Sequence, residues 1–234
     1  LVYFGRKNAS PFRLGKTKLY WNILGKTCTN GSSELMTNLS SSIVNTLFNF
    51  QLMHFAGEDG VAAYGTLMYV NFIFVAIFLG YSIGSAPIVS YHYGARNSEE
   101  LKNLLTKSLK MIGVWGVALF ALAQLIASPL ARIFVGYDPN LFDLTRHGFR
   151  IFCLAFLVNG FNIYGSSFFT ALNNGLLSAL ISFLRTLVFQ IASVLLLPMI
   201  FGIDGIWGAV FVAEILTLCV TIICLAKKQK VYHY

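Results

Sequence analysis

Apolar residues in this chain run in long blocks separated by short polar joints, and each block approaches the roughly 20 residues that cross a bilayer as a helix. Six blocks follow one another, at 33–56, 61–91, 108–135, 147–172, 176–200 and 205–226. The joints carry turn residues: Gly57-Glu58-Asp59-Gly60, Gly94 to Glu100, Gly136-Tyr137-Asp138-Pro139-Asn140, Asn173-Asn174-Gly175 and Phe201-Gly202-Ile203-Asp204-Gly205. Ahead of the first block, residues 5–30 hold six lysines and arginines and no acid. Leu14, Leu19, Tyr20, Trp21, Ile23 and Leu24 there are spaced for a short helix lying on the membrane surface. The pattern predicts an all-α integral membrane protein in which residues 1–30 are a linker with an interfacial helix and residues 31–234 form a six-helix transmembrane lobe.

Composition agrees with the pattern. Of the 234 residues, 56% are apolar and only 11% are charged, which leaves too little polar surface for a soluble domain. The net charge of +8 forms no basic stripe with interleaved aromatics, so nucleic acid is not the expected partner. Lipid head groups are. If the N-terminal bases are cytoplasmic, one side of the membrane collects them together with Arg96, Lys102, Lys107, Lys110, Lys227, Lys228 and Lys230, and the other receives Arg132, Arg146 and Arg150. Positive charge inside then places both ends of the segment in the cytoplasm, across the plasma (inner) membrane. Cys28, Cys153, Cys219 and Cys224 form no metal-ligand spacing and lie mostly in apolar runs, so neither a metal nor a disulfide framework is expected. The opening Leu1-Val2-Tyr3-Phe4 reads as the tail of an apolar segment, so the chain is expected to be a fragment.

Polar residues inside the spans are the candidates for function, because each costs free energy in hydrocarbon unless it meets protein or water. Glu214 lies roughly 12 Å from the outer end of the last span, near mid-bilayer. Arg185, some ten residues into the preceding span from the inner side, differs from it in depth by about 5–8 Å, a gap that the two long side chains could bridge. Two readings stay open for this pair: an ion pair that locks the last two helices together, or a carboxylate that binds a coupling cation under the influence of Arg185. On the first span, Glu34, Asn38, Ser41, Asn45 and Asn49 recur at helical spacing as one polar stripe, expected to face a cavity or another helix. Glu34 is also placed where a helix dipole favours a carboxylate. Tyr64 and Asn71 put similar chemistry on the second span. Asn162 does so on the fourth, whose Asn159-to-Ala171 run of small residues, amides and aromatics suits close packing with one wet side. At the end of the second span, Gly80, Gly84 and Pro87 read as a packed, hinge-like helix end, with Ser82, Ser85 and Ser90 near the carbonyl that the proline leaves unpaired.

That last stretch, Gly-x3-Gly-x2-Pro-x2-Ser-Tyr-x-Tyr-Gly-Ala over residues 80–95, resembles the end of the second helix in one half of the MATE family, the multidrug and toxic compound extrusion transporters. Ala86 stands where the family usually has glutamine. Gly31-Ser32-Ser33-Glu34, Gly160-Phe161-Asn162, Ser166-Ser167-Phe168-Phe169, Leu184-Arg185, Gly205-Ile206-Trp207 and Ala213-Glu214 extend the resemblance, in order, along the C-terminal half of bacterial members. The resemblance implies a twelve-helix protein of two lobes around a cavity that opens alternately to each side. This chain would be its second lobe, lacking the N-terminal six-helix lobe. It also implies export of small cationic amphiphiles in exchange for H+ or Na+, with no other cofactor, and makes Glu34 the nearest match to a coupling acid on the first helix of the second lobe. A flippase for lipid-linked oligosaccharides, from the same wider superfamily, would need several buried cations where only Arg185 is available. A membrane-embedded enzyme would need a catalytic set, such as a serine motif with a histidine at matching depth or paired aspartates, and the spans hold no aspartate.

Overall fold

The computed structural model of the chain describes residues 18–232, and among them every regular element is helical. Five continuous helical stretches are long and apolar enough to cross a membrane. The first belongs to Trp21–Gly94, whose 74 residues would reach about 110 Å if straight. It is not straight. Gly57, at φ 63° and ψ −150°, adopts a backbone conformation open almost only to glycine, and the chain folds back on itself there. The Tyr64 hydroxyl donates to Asn45 Oδ1 at 2.8 Å, and the Tyr64 ring stacks on Phe48 with centroids 5.0 Å apart. In an unbroken helix residues 45 and 64 would lie about 28 Å apart.

The two arms are α1 (21–56) and α2 (58–94). They are followed by α3 (Ser98–Val135), α4 (Pro139–Ala171), α5 (Gly175–Phe201) and α6, Ile203–Tyr232. Six helices of alternating direction bring both ends of the described chain to the same end of the bundle. The joint between α5 and α6 repeats the device of the first hairpin, with Gly202 at φ 58° and ψ −136°. On the opposite, lysine-rich side the two joints share another geometry. Arg96 (φ 54°) and Asn173 (φ 59°) take the left-handed conformation, and the asparagine that follows each caps the next helix, Asn97 accepting from the Glu100 amide and Asn174 from that of Leu177, both at 3.2 Å. At the start of α4, Asp138 Oδ1 accepts from the amides of Asn140 and Leu141, and Pro139 sits at the first helical position, where its missing N–H costs nothing.

The centre of the lobe is α4, which packs against α2, α3, α5 and α6. Its glycines make this possible. A β-carbon at Gly160 would lie 2.6 Å from the Phe78 ring of α2, one at Gly148 2.6 Å from Trp207, and one at Gly165 2.4 Å from Thr221 Cγ2. On α3, Gly116, Ala123, Ala127 and Ala131 form a buried ridge of small residues, the arrangement that lets helices approach closely where lipid offers no hydrophobic drive. Both α3 and α6 pack on α4 but hardly on each other.

Three expectations need correcting. The helical stretch begins at Trp21 and runs unbroken into the first span, so residues 21–30 are not a separate interfacial helix; Leu14 lies outside the described residues. At the end of α2 the face that carries Gly80 and Gly84 is bare, whereas Ser82 and Val89 of the same stretch are buried. Gly80 and Gly84 are exposed, and a β-carbon on either would meet nothing within 4 Å. Neither do the neighbouring serines serve the carbonyl below Pro87: Ser85 donates to Ser82 O and Ser90 to Ala171 O.

Candidate functional site

Two polar regions occupy the membrane-spanning part. The first is buried between α4, α5 and α6. Arg185 reaches Glu214 Oε1 with both Nε and Nη2, each at 2.8 Å, and its Nη2 also donates to Asn159 Oδ1. From the other side Asn162 Nδ2 donates to Glu214 Oε2 at 2.7 Å and to the Glu214 carbonyl at 2.8 Å, while Asn162 Oδ1 accepts from the Thr221 hydroxyl at 3.1 Å. The Glu214 side chain is 6% exposed and that of Arg185 17%. Both charges are therefore compensated, and the carboxylate receives three donors, the condition under which an ion pair persists out of water.

Local structure explains how the node forms. Arg185 is the second residue of a π-helical segment, Leu184–Phe189, inside α5, and such bulges recur where a side chain must be re-aimed. Asn159 and Asn162 lie one turn apart on α4, and the closeness of Gly165 to Thr221 draws α6 onto that face. One turn further toward the lysine-rich side, the hydroxyls of Thr170, Ser178, Ser166 and Ser182 follow one another at 2.7, 2.8 and 3.0 Å. Polar bonding thus holds α4 and α5 together along much of their shared length.

The second region is the stripe on α1. Asn38, Ser41 and Asn49 are exposed and Asn45 is half-buried. The opposite positions Ser40, Val44, Phe48 and Leu52 are buried against the rest of the lobe. Exposed amides within a membrane helix are costly toward lipid, so this face belongs to water or to other protein. Glu34 is on the same helix, with its side chain outside the described residues.

Glu214 and Arg185 are thus brought together, on one node. Asn162, expected at a cavity wall, is wholly buried in that node, because α6 covers its face of α4. Tyr64, also expected at a cavity, is 5% exposed and closes the α1–α2 hairpin through Asn45 and Phe48. Asn71 is half-buried on α2. Asn159 and Thr221 belong to the node without having been singled out as partners. Their signal was the one-turn spacing of two amides opposite a buried acid. A His147–Asp204 contact of 2.8 Å between α4 and α6 at the glycine-joint end was also missed, since charges at turns carry no periodicity. Among the described residues no group of His, Cys, Asp and Glu could hold a metal ion.

A family model described as MatE matches residues 35–196. The chain is 22% identical over 205 residues to the probable multidrug resistance protein YoeA of Bacillus subtilis (strain 168), an alignment spanning 85% of this chain and 43% of that protein. It is 24% identical over 199 residues to a FAD transporter of Shewanella oneidensis, spanning 84% of this chain and 42% of that one. Among solved structures, the outward-facing conformation of a multidrug resistance MATE family transporter of the MOP superfamily superposes with a TM-score of 0.85 at 20% identity, over 93% of this chain and 49% of that chain. The chain spans less than half the length of the curated relatives it matches.

Proposed function

The chain belongs to the MatE family, a family of multi-pass membrane transporters and not of enzymes, and we propose that it forms one lobe of a two-lobed secondary transporter exporting small cationic amphiphiles in exchange for H+ or Na+. The observation that carries this reading is the stripe of exposed amides on α1. Within a bilayer it needs a polar counterpart, and a water-filled cavity shared with an N-terminal six-helix lobe supplies one. In that arrangement the buried node keeps α4, α5 and α6 together as a rigid body. The lobe then rocks as a unit about the cavity, and coupling-ion binding changes the relative stability of the two facing states. The excess of lysine on one side supports a cytoplasmic position for both ends of the described chain, in the plasma membrane.

The amides suit cationic amphiphiles, which they bind as neutral acceptors without trapping them as a buried carboxylate would. A flippase for lipid-linked oligosaccharides finds less support, because Arg185 already serves Glu214 and Asn159. The FAD transporter relative supports a second substrate reading, an anionic dinucleotide.

The test uses the full-length transporter in proteoliposomes with an imposed pH or Na+ gradient, following a cationic dye and FAD in parallel. The proposal expects gradient-driven export of the dye and none of FAD; the reverse would replace the substrate class. In the same assay Glu214→Gln is expected to keep coupled export, since the node acts as a brace. Loss of coupling in a folded, normally inserted variant would move the coupling role to Glu214.

A further inference from the structure

Where α3 and α6 fail to meet, at the lysine-rich end of the lobe, they leave a cleft that is apolar in its depth and basic at its mouth. Its deeper part is a cavity of about 310 Å³ between Leu105 and Leu109 of α3 and Ile222, Leu225 and Ala226 of α6. About one turn nearer the helix ends a second cavity, of about 230 Å³, is lined by His92, Arg96, Asn97, Leu101 and Tyr232. The two stack along the same pair of helices: Leu101 and Lys102 are consecutive, and Gln229 and Tyr232 lie a turn apart. Taken in order, the two run from the polar helix ends toward the hydrocarbon zone.

The charges at the mouth have one predominant sign. Arg96 and Lys102, the charged residues that line the two cavities, are exposed, and Lys227 and Lys228 follow on α6, against the carboxylates of Glu99 and Glu100 on the first turn of α3, the latter accepting from Asn103 Nδ2. The Nδ1 atom of His92 is shielded from solvent and has no hydrogen-bond partner among the described residues. Arg96 occupies a left-handed backbone position, at φ 54°, that the matching turn gives to Asn173. Asparagine tolerates that conformation better than arginine does, so backbone preference does not account for an arginine there. Cations above an apolar slot of these dimensions match one ligand that the surroundings of a membrane protein always supply, with its charge at the head-group level and its tail alongside the helices.

We propose that the cleft between α3 and α6 is a binding site for an anionic phospholipid of the leaflet on the lysine-rich side. The phosphate lies among Arg96, Lys102 and the α3 N-terminus, and one acyl chain fills the slot between Leu105, Leu109, Ile222 and Leu225. The lipid then serves as the missing contact between α3 and α6. This site is separate from the stripe on α1 and does not depend on what is transported.

The test is native mass spectrometry of the full-length transporter, titrated in detergent with phosphatidylglycerol, with phosphatidylcholine and with inorganic phosphate. The wild type is expected to retain a phosphatidylglycerol adduct that neither phosphatidylcholine nor phosphate reproduces. Arg96→Asn removes the cation while giving the turn the residue its twin already uses, so folding is preserved; retention should weaken about fivefold, as expected for one basic residue at a lipid surface. Leu225→Trp, which fills the slot and leaves the cations in place, should abolish the adduct. Equal phosphatidylglycerol retention in the wild type and both variants would overturn the site, and would be the result if the N-terminal lobe or a terminal segment covers the cleft. Equal retention of phosphatidylcholine would overturn its anionic character, and a phosphate adduct displaced by Arg96→Asn but indifferent to Leu225→Trp would overturn the lipid.

Discussion

Asparagine appears in two regions of this lobe with opposite consequences. On α4, Asn159 and Asn162 are buried and spend their hydrogen bonds on Arg185, Glu214 and Thr221. On α1, Asn38 and Asn49 have the same chemistry and stand exposed. Burial and partners, not residue type, separate a brace from a surface that is ready to bind. The saturated node holds three helices in one arrangement, and the open stripe keeps its hydrogen-bonding capacity for something outside the lobe.

The largest effect that can break this contrast lies in the node. Arg185→Ala leaves the Glu214 charge buried and unpaired, and thermal unfolding of the full-length protein should show a loss of about 3–5 kcal/mol. Removing both charges together, as Arg185→Met with Glu214→Leu, should restore most of it. A double variant as unstable as the single one would mean that packing and not charge holds the three helices.

Glycines sharpen the contrast at smaller magnitude. Gly165→Ala drives a β-carbon against Thr221 and should cost about 1–3 kcal/mol by the same unfolding measurement. Gly84→Ala meets nothing and should leave the lobe's own stability unchanged. Equal losses at the two sites would mean that the bare face of α2 is covered as tightly as the node. Tyr64→Phe, which removes the hydrogen bond to Asn45 across the α1–α2 hairpin, should cost about 1 kcal/mol. The smallest stability effect belongs to the stripe. Asn49→Leu should fall within about 0.5 kcal/mol of the wild type while altering the spectrum of compounds exported, measured as growth inhibition across a drug panel. An unchanged panel would take Asn49 out of the cavity wall.

The six spans were readable in the sequence because hydrocarbon thickness imposes a length that no soluble helix needs, and Gly57 and Gly202 mark two of the reversals. The Arg185–Glu214 pair was readable from depth and reach, since two long side chains on adjacent antiparallel helices can bridge an offset of about 5–8 Å. Rotation about the helix axes was not. Whether Gly80 and Gly84 face protein, or Asn162 faces a cavity, depends on how α4 and α6 turn toward each other, and small residues permit close approach without saying to which neighbour. The π segment at Leu184–Phe189 shifts the facing of Arg185 by an amount that a regular helical count omits. The interfacial helix was predicted from apolar spacing in residues 14–24, but nothing between Trp21 and the first span forces a break, because isolated glycines such as Gly25 and Gly31 are tolerated within a helix at a cost of about 1 kcal/mol each.

The most direct test of the central contrast is the reaction of a cysteine at position 49 with a polar, membrane-impermeant maleimide. The full-length transporter would be used in oriented vesicles, with its native cysteines replaced. The account predicts that Asn49→Cys reacts from the aqueous phase and that a transported cationic dye slows the reaction, because α1 lines a water-filled cavity. A cysteine there that stays unreacted with and without dye, in a variant that still transports, would put the stripe against lipid or sealed protein and contradict the account.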